Sequence, residues 1–200
     1  METGIINTTG DMVVTIVQHA NSGKKVGRNF KMDEHKLKKD IDKHTDYHDK
    51  LTQLAASKGT TNYPDQYSAD ILESFDNQFP DSSYMVTLNC PEFTTVCEIT
   101  GQPDFGKIII NYIPDAKLVE SKSLKLYMFG FRNAHFFHEH AVCTIGLDLV
   151  KLLNPHYLEV QGFFLPRGGI SIDPFYSYST EDWDTFKHIR LANRNMPIRS

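Results

Sequence analysis

Residues 122–153 decide the fold, and they read KSLKLYMFGFRNAHFFHEHAVCTIGLDLVKLL. The second half of this stretch predicts an amphipathic helix over residues 136–153, because apolar side chains recur there every three or four positions. Those side chains are Phe137, Ala141, Ile145, Leu149 and Leu152. Asn154-Pro155 is a typical helix end, so the predicted helix stops before the next apolar run.

The first half, residues 122–131, fits two structures. Its apolar residues alternate as in a strand, yet they also recur three and four positions apart as in a helix. Ser121 or Ser123 would serve as an N-cap, and the neighbouring Glu120 suits the positive end of a helix. These capping residues favour a helix.

Short strands are predicted on both sides of the helix pair. They cover residues 84–89, 107–113, 157–165 and 170–178. The first two flank a long connection over residues 90–105 that is rich in Thr, Pro and Gly. The order is strand, strand, helix, helix, strand, strand. It predicts an α+β architecture in which an antiparallel sheet carries the two helices on one face.

The chain also divides along its length. Residues 1–60 form a predicted N-terminal extension with an amphipathic helix at about 33–57, and residues 61–200 form the compact domain. The helix carries a thin apolar stripe among many charges, so we expect it to lie on the main body or on a neighbouring subunit.

Composition restricts the class of protein. The chain has 200 residues, 40% of them hydrophobic, and charges or prolines interrupt every apolar run before it could span a bilayer. Its three cysteines form no C-x-x-C pair, so we expect reduced thiols, a cytoplasmic protein and no membrane partner. Residues 24–58 carry ten Lys or Arg against six Asp or Glu, but the whole chain has a net charge of −4. That acidic balance argues against direct nucleic-acid binding.

Cys97 is the candidate nucleophile. It lies in the predicted connection, seven positions before Asp104, which could take the thiol proton and later deliver it. Taken alone, the pair also fits a small buried side chain and a turn cap. Cys90 and Cys143 fit structural positions better, beside a strand and inside a helix.

His138-Glu139 is a candidate recognition pair, since a carboxylate accepts paired N–H donors and imidazole donates or accepts beside it. The same pair also fits an ordinary helix start. A zinc site built from His138, His140 and Cys143 is disfavoured, because side chains two positions apart on a helix point about 200° apart.

A phosphate site would need an unusual cradle. The sequence has neither a dinucleotide-binding glycine motif nor a P-loop. Lys122 and Lys125 near a helix start, with Arg167-Gly168 at a strand turn, could supply cations. A solvated lysine pair and a tight turn explain the same residues.

Taken together, these segments resemble the nitrile reductases of queuosine biosynthesis, the 7-cyano-7-deazaguanine reductases, in their short single-module form. The resemblance covers about residues 62–180. It rests on residues 89–93, 97–104, 112–115, 119–127, 131–133, 137–139 and 166–174. It implies a tunnelling fold that closes into rings, expected as a decamer of two pentamers, with active sites at subunit interfaces.

The resemblance also implies roles. Cys97 would be the nucleophile and Asp104 the general acid/base. The residues expected to hold the 7-cyano-7-deazaguanine substrate are Val119, Glu120, Ser121, His138 and Glu139. Those expected to hold NADPH are Ser121, Lys122, Arg167 and Gly168, and no metal is expected. The implied reaction passes through a Cys97 thioimide and forms an aminomethyl product for tRNA modification.

Three other functions remain open at this point. One is a zinc-dependent pterin-pathway cyclohydrolase, and another is an amidine-forming relative that uses the same thioimide. The third is an RNA-binding or scaffold ring that uses the basic extension. The chain departs from the resembled family in its first sixty or so residues and in Glu98-Ile99, where relatives often have a proline.

Overall fold

A computed structural model describes residues 61–194 of the chain. The predicted extension, with its helix at about 33–57, lies outside the described residues. Within them the protein is α+β with antiparallel sheets, as predicted. No helix in this part of the chain is both long and apolar enough to cross a membrane.

In residues 61–194, six strands form two antiparallel sheets. The larger sheet has the strand order β2-β3-β5-β6, and the smaller sheet pairs β1 with β4. The strands are β1 (Ser74–Asp76), β2 (Val86–Val96), β3 (Pro103–Ile113), β4 (Lys117–Val119), β5 (Tyr157–Phe164) and β6 (Phe175–Ser179).

The described residues also contain three helices: α1 (Ser121–Gly130), α2 (His138–Leu153) and α3 (Asp184–Ala192). Three 3-10 turns lie in the same part of the chain, at Ala69–Ile71, Phe131–Asn133 and Glu181–Trp183. The ambiguous segment is therefore helical, but its N-cap is Glu120 and not a serine. The longer helix begins two residues later than predicted and ends at Asn154 in the left-handed conformation, with φ of 43°.

The predicted connection over residues 90–105 was wrong in length. β2 and β3 continue through it as a long hairpin, so the loop shrinks to residues 97–102. Phe93 and Thr95 face the interior in β2, and a bulge between Cys90 and Phe93 adjusts the register. Pro103 is tolerated because it is the first residue of its strand. The Thr- and Pro-rich composition had concealed this alternation.

The last strand was also misplaced. It covers Phe175–Ser179 and not residues 170–178, because Gly168 and Gly169 adopt φ of 58° and 82° and end the extended pairing. The sequence analysis missed the β1–β4 sheet and α3 altogether. Strands of three residues are too short to show a period.

One hydrophobic core joins both helices α1 and α2 to the same face of the larger sheet. Ala141, Val142, Ile145 and Leu149 of α2 are fully buried. They belong to the same cluster as the β3 and β5 side chains Ile108, Ile110, Leu158 and Val160, and as Leu124 and Tyr127 of α1. Each such side chain contributes about 1.5–3 kcal/mol on burial. Packing in this core holds the start of α2 against the last residues of β2 and the first residues of β3.

Candidate active site

The turn that follows β2, residues 97–102, holds the candidate nucleophile; we call it the Cys97 turn. The Cys97 N–H donates to the Gln102 carbonyl at 2.8 Å, and the Gly101 N–H donates to the Cys97 carbonyl at 3.0 Å. Gly101 has φ of 67°, a left-handed conformation that favours glycine. Only 5% of Cys97 is exposed. The turn therefore closes the hairpin and holds the thiol at the end of the sheet.

The loop before α2 is fastened to the same strand end. The Val96 N–H donates to the Ala134 carbonyl and the Phe136 N–H donates to the Val96 carbonyl, each at 3.0 Å. The Thr95 hydroxyl also donates to Ala134, at 2.8 Å. These bonds bring His138, the first residue of α2, beside the Cys97 turn.

Asp104, on β3, lies opposite Thr95 of β2 and is 4% exposed. Its Oδ2 accepts a hydrogen bond from Arg167 Nη2 at 2.7 Å and lies 3.2 Å from His138 Nε2. Arg167 Nη2 and His138 Nε2 are 3.5 Å apart. A carboxylate, a guanidinium and an imidazole therefore meet at one oxygen.

His138 is held flat against Phe164. The two rings are stacked with centroids 3.9 Å apart and an angle of 5° between their planes. The imidazole is 4% exposed, and its buried Nδ1 has no hydrogen-bond partner among residues 61–194. Since buried polar atoms are nearly always paired, Nδ1 marks a position where a ligand atom would complete the site.

The sulfur of Cys97 is surrounded by donors. A hydrogen bond from the Thr100 side chain, then one from Arg167, then the N–H groups of Thr100 and Ile99 lower the pKa of Cys97 to about 6. The thiolate therefore dominates at neutral pH. By contrast, burial raises the pKa of Cys90, which lies within β2, and Cys143 is exposed on α2. Cys97 is the thiol suited to nucleophilic attack.

The start of α1, residues 119–123, is built differently. The Glu120 carboxylate accepts hydrogen bonds from the N–H groups of Lys122 at 2.9 Å and Ser123 at 2.6 Å. Val119 is 6% exposed and its N–H lies 3.4 Å from the Tyr112 hydroxyl. Ser121 is exposed. Within residues 61–194, no hydrogen bond or ion pair joins this segment to Cys97, Asp104 or His138.

The remaining predicted residues lie near the Cys97 group. Glu139 is exposed in the first turn of α2, directly after His138. Arg167 belongs to a tight turn in which its backbone exchanges two hydrogen bonds of 3.0 Å with Ile170. Gly168 occupies the left-handed position of that turn. The structure thus unites Cys97, Asp104, His138 and Arg167.

Two residues of this group were missed by the sequence analysis. Thr100 lies within residues 97–104, on which the resemblance rests, but received no role, although its hydroxyl has the largest effect on the pKa of the thiol. Phe164 was assigned only to a strand. The period of two along β5 could have identified it, because Leu158, Val160 and Phe164 are all inward-facing.

No three His, Cys, Asp or Glu side chains converge on a possible metal position among the residues described. His140 instead packs edge-on against Phe137, with ring centroids 5.4 Å apart. The donor set that the cyclohydrolase alternative requires does not form around His138 and His140.

A cavity of about 750 Å³ lies beside β2, β3 and the end of β5. It is lined by Pro91, Glu92, Phe93, Thr94, Phe105, Gly106, Lys107, Arg132, Phe163 and Leu165. Phe163 and Leu165 alternate with Phe164, so they point to the other face of the strand. None of the predicted site residues lines this cavity.

Comparisons with known proteins identify the family. A family profile described as QueF-like protein matches residues 103–183. The chain is 54% identical over 148 residues to the NADPH-dependent 7-cyano-7-deazaguanine reductase of Streptococcus mutans, covering 73% of this chain and 90% of that one. It is 63% identical over 148 residues, with the same coverage, to the enzyme of that name from Streptococcus thermophilus. The chain belongs to this reductase family.

A further relative agrees with that assignment. The NADPH-dependent 7-cyano-7-deazaguanine reductase of Bacteroides thetaiotaomicron is 53% identical over 144 residues, covering 71% of this chain and 95% of the relative. The apo archaeosine synthase QueF-Like is a distant structural neighbour, with a TM-score of 0.46 and 19% identity over 50% of this chain and 97% of the other. The family predicted from the sequence motifs is confirmed, and the protein is an oxidoreductase.

A 7-cyano-7-deazaguanine reductase uses NADPH, and the chemistry of this chain suits that cofactor. Ser121 and Lys125 are exposed, and Lys122 is half-buried beside them. The Lys125 ammonium lies 5.4 Å from the centre of the Tyr63 ring. The hydroxyl and the two ammonium groups at the start of α1 and, separately, the partly exposed Arg167 are donors of the kind that bind phosphate oxygens.

Proposed function

We propose that this protein reduces the nitrile of 7-cyano-7-deazaguanine to an aminomethyl group with NADPH, through a thioimide on Cys97. The observation that carries the proposal is the group around the sulfur. A buried thiol with a pKa of about 6 lies at the end of β2, beside Asp104 and His138. Family membership supports this substrate and cofactor, and the geometry supports Cys97 as the nucleophile.

In the first step, the Cys97 thiolate attacks the nitrile carbon. One carbon–sulfur bond forms, one π bond of the C≡N group breaks, and the nitrogen takes a proton. Asp104 is assigned as the proton donor; after the transfer, its carboxylate is stabilised by the hydrogen bond that Arg167 donates at 2.7 Å. The product of this step is a neutral thioimide.

The covalent step divides a difficult reduction into easier ones. When bound, NADPH supplies one hydride to the thioimide carbon and, after exchange of the cofactor, a second to the resulting imine carbon. Cys97 leaves between these reductions as a thiolate, which the same hydrogen-bond donors stabilise. We assign the cofactor to Ser121, Lys122, Arg167 and Gly168.

Recognition of the heterocycle is assigned to His138 and Glu139, with Val119, Glu120 and Ser121. His138 Nδ1 is buried and has no partner in the described part of the chain, so it suits a polar atom of the ring. Because His138 Nε2 faces a carboxylate oxygen, Nδ1 is expected to accept a hydrogen bond from a ring N–H. Glu139 is exposed and free to accept further N–H donors.

We infer that association of subunits brings the residues at the start of α1 to the group around Cys97. The start of α1 forms no polar contact with Cys97 within the described chain, so we assign that contribution to a neighbouring subunit. A ring of tunnelling-fold modules, as a decamer of two pentamers, would place two chains at each site. Exposed apolar side chains near the Cys97 turn support an interface there: Ile99, Phe105, Leu165 and Ile170.

The proposed setting is the cytoplasm, where the product would enter queuosine synthesis for tRNA modification. The three thiols support a reducing compartment, because Cys90, Cys97 and Cys143 are all free.

Intact-protein mass spectrometry tests the proposal. Adding 7-cyano-7-deazaguanine without NADPH is expected to increase the mass of the wild-type chain by the whole mass of the nitrile, because addition loses no atoms. Cys97→Ala should gain nothing, while Cys143→Ala should react like the wild type. Adduct formation on Cys97→Ala, or its absence from folded wild type, contradicts the proposal.

A further inference from the structure

We propose that Phe164 is a positioning residue, which holds the His138 ring in the plane that recognition of 7-cyano-7-deazaguanine requires. The role of His138 toward the heterocycle rests on the proposed function, whereas the support of its ring by Phe164 does not. The two parts are therefore measured separately, without the nitrile and with it.

The contact between the two rings fixes the plane of the imidazole. The rings lie face to face, with centroids 3.9 Å apart and an angle of 5° between their planes. Phe164 is fully buried and His138 is 4% exposed, so neither side chain has free space beside it. Since core side chains are closely packed, a tilt of the imidazole would force atoms of the two rings into each other.

The polar edge of His138 is fixed by a second group. Its Nε2 lies 3.2 Å from Asp104 Oδ2 and 3.5 Å from Arg167 Nη2. This contact decides which edge of the ring faces Asp104, and the stack on Phe164 decides the plane. Together they hold Nδ1 in one direction, where no described residue forms a hydrogen bond with it.

Two glycines make room for the phenyl ring. Gly106 is paired with Phe164 across the sheet, and Gly162 lies two positions before Phe164 on β5, so the three positions share one face. A Cβ at Gly106 would lie 3.0 Å from Phe164 Cδ1, and a Cβ at Gly162 would lie 2.9 Å from Phe164 Cε2. Each edge of the ring is thus bordered by a glycine, and a side chain at either position would displace the ring from beneath the imidazole.

Phe93 completes a row across three strands. It is paired with Gly106 from the β2 side, and its ring meets Phe164 edge-on, with centroids 6.0 Å apart and an angle of 79°. The row is therefore large, small, large, and the ring of Phe164 borders the space that Gly106 leaves. An aliphatic side chain in place of Phe164 would fill much of this space without offering a flat face to His138.

Carbethoxylation by diethyl pyrocarbonate tests the support of the ring without the nitrile. Peptide mass spectrometry gives the rate at His138, and His188, whose side chain is 69% exposed, is the internal reference in every sample. The rate at His138 relative to His188 should be low in the wild type. It should rise severalfold in Phe164→Leu, because the imidazole can then leave the plane in which it is buried.

Phe131→Leu is the matched control. Phe131 is also fully buried in the same hydrophobic cluster, and its ring packs edge-on against Tyr127, with centroids 5.3 Å apart. The variant loses the same atoms from the core and keeps the ring on which His138 is stacked. Its relative rate at His138 should equal that of the wild type. An equal rise in the two variants, or no rise in Phe164→Leu, would overturn the proposal.

Gly162→Ala keeps the phenylalanine and disturbs its position. The added methyl group would lie 2.9 Å from Phe164 Cε2 and 2.7 Å from Val142 Cγ2, so the ring or the helix must shift. His138 should become more reactive in this variant as well. Because Phe164→Leu adds no atoms to the core, it tests the proposal even where Gly162→Ala does not fold. Circular dichroism shows which variants are folded.

Calorimetric titration with 7-cyano-7-deazaguanine tests the consequence for recognition. Every titrated chain also carries Cys97→Ala, so that no covalent bond forms and the Kd is measured. Phe164→Leu should raise this Kd by about threefold to tenfold, which is the effect of losing one hydrogen bond. Phe131→Leu should leave the Kd unchanged.

The two measurements fail in different ways. A Kd that Phe164→Leu leaves unchanged would overturn the proposal, because the orientation of His138 would then not serve recognition. If His138 becomes more reactive in Phe164→Leu but the Cys97→Ala chain binds no nitrile, the proposed function fails while the support of His138 by Phe164 stands.

Discussion

The Cys97 turn and the start of α1 use similar residues for opposite purposes. At the Cys97 turn, side chains contact other side chains, and the buried His138 Nδ1 has no partner within the part of the chain that the structure describes. At the start of α1, the carboxylate of Glu120 is occupied by two backbone N–H groups. The difference shows that a carboxylate beside a helix start can serve the helix, whereas one at a strand end is available for chemistry.

Asp104→Asn should give the largest effect, because it changes the group around the Cys97 turn directly. The amide cannot donate an acidic proton to the nitrile nitrogen, so turnover should fall by about 10²–10⁴-fold. NADPH oxidation dependent on the nitrile measures this loss. Turnover within a fewfold of wild type would place the proton donor elsewhere.

Removing the Lys122 ammonium tests the start of α1. Lys122→Met should raise the KM for NADPH by about tenfold with a smaller change in kcat, because a phosphate contact is worth about 1.4 kcal/mol in binding. Lys117→Met, on the exposed side of β4, is the matched control and should leave KM unchanged. Equal effects of the two variants would point to a general loss of charge.

Glu120→Ala asks whether the helix cap and the reacting thiol are independent. Two N–H groups lose their acceptor, so the free energy of unfolding should fall by about 0.5–2 kcal/mol. The pH midpoint of Cys97 alkylation should not move. Chemical denaturation gives the first quantity, and Ser121→Ala provides a control with an exposed hydroxyl. A shifted midpoint would show that the two regions are coupled within one chain.

The smallest expected effect is on stability as a function of pH. The pKa of Cys97 is about 6 in the folded chain, below the ordinary ~8.5 of an unfolded thiol. Between these values the unfolded chain binds the proton that the folded chain lacks, so folding is favoured as pH rises. The stabilisation is full above about 8.5 and is lost as pH falls through 6.

The melting temperatures of wild type and Cys97→Ala measure this contribution. The difference, wild type minus variant, should increase by a few degrees from pH ~5.5 to pH ~9. Parallel curves would mean that the thiol is not ionised preferentially in the folded chain.

Much of the fold followed from the sequence because the decisive helix is long. Residues 136–153 show a sustained apolar period, and the observed α2 differs at its start by two residues. The order of the four main strands and two helices was also correct. Long periodic segments bury one face, and that face is visible in the pattern.

The errors arose where local signals compete. Three residues near the start of α1 could each cap it. Which of them does so depends on the position at which the chain leaves β4. Strand β2 was cut short because its Thr and Pro content is typical of loops. The meeting of Thr100 with Cys97, and of Arg167 with Asp104, depends on turn geometry and a sheet register that no spacing encodes.

The stack of His138 on Phe164 ties ligand recognition to the alignment of a core strand. Phe164 is paired with Gly106, and its neighbours Phe163 and Leu165 point the other way. A deletion within β5 would slide this strand by one position and present the wrong side chain beneath the imidazole. It would also turn Arg167 away from the sulfur. A variant with a shifted β5 would thus retain its helices and lose both the support of the His138 ring and the position of Arg167.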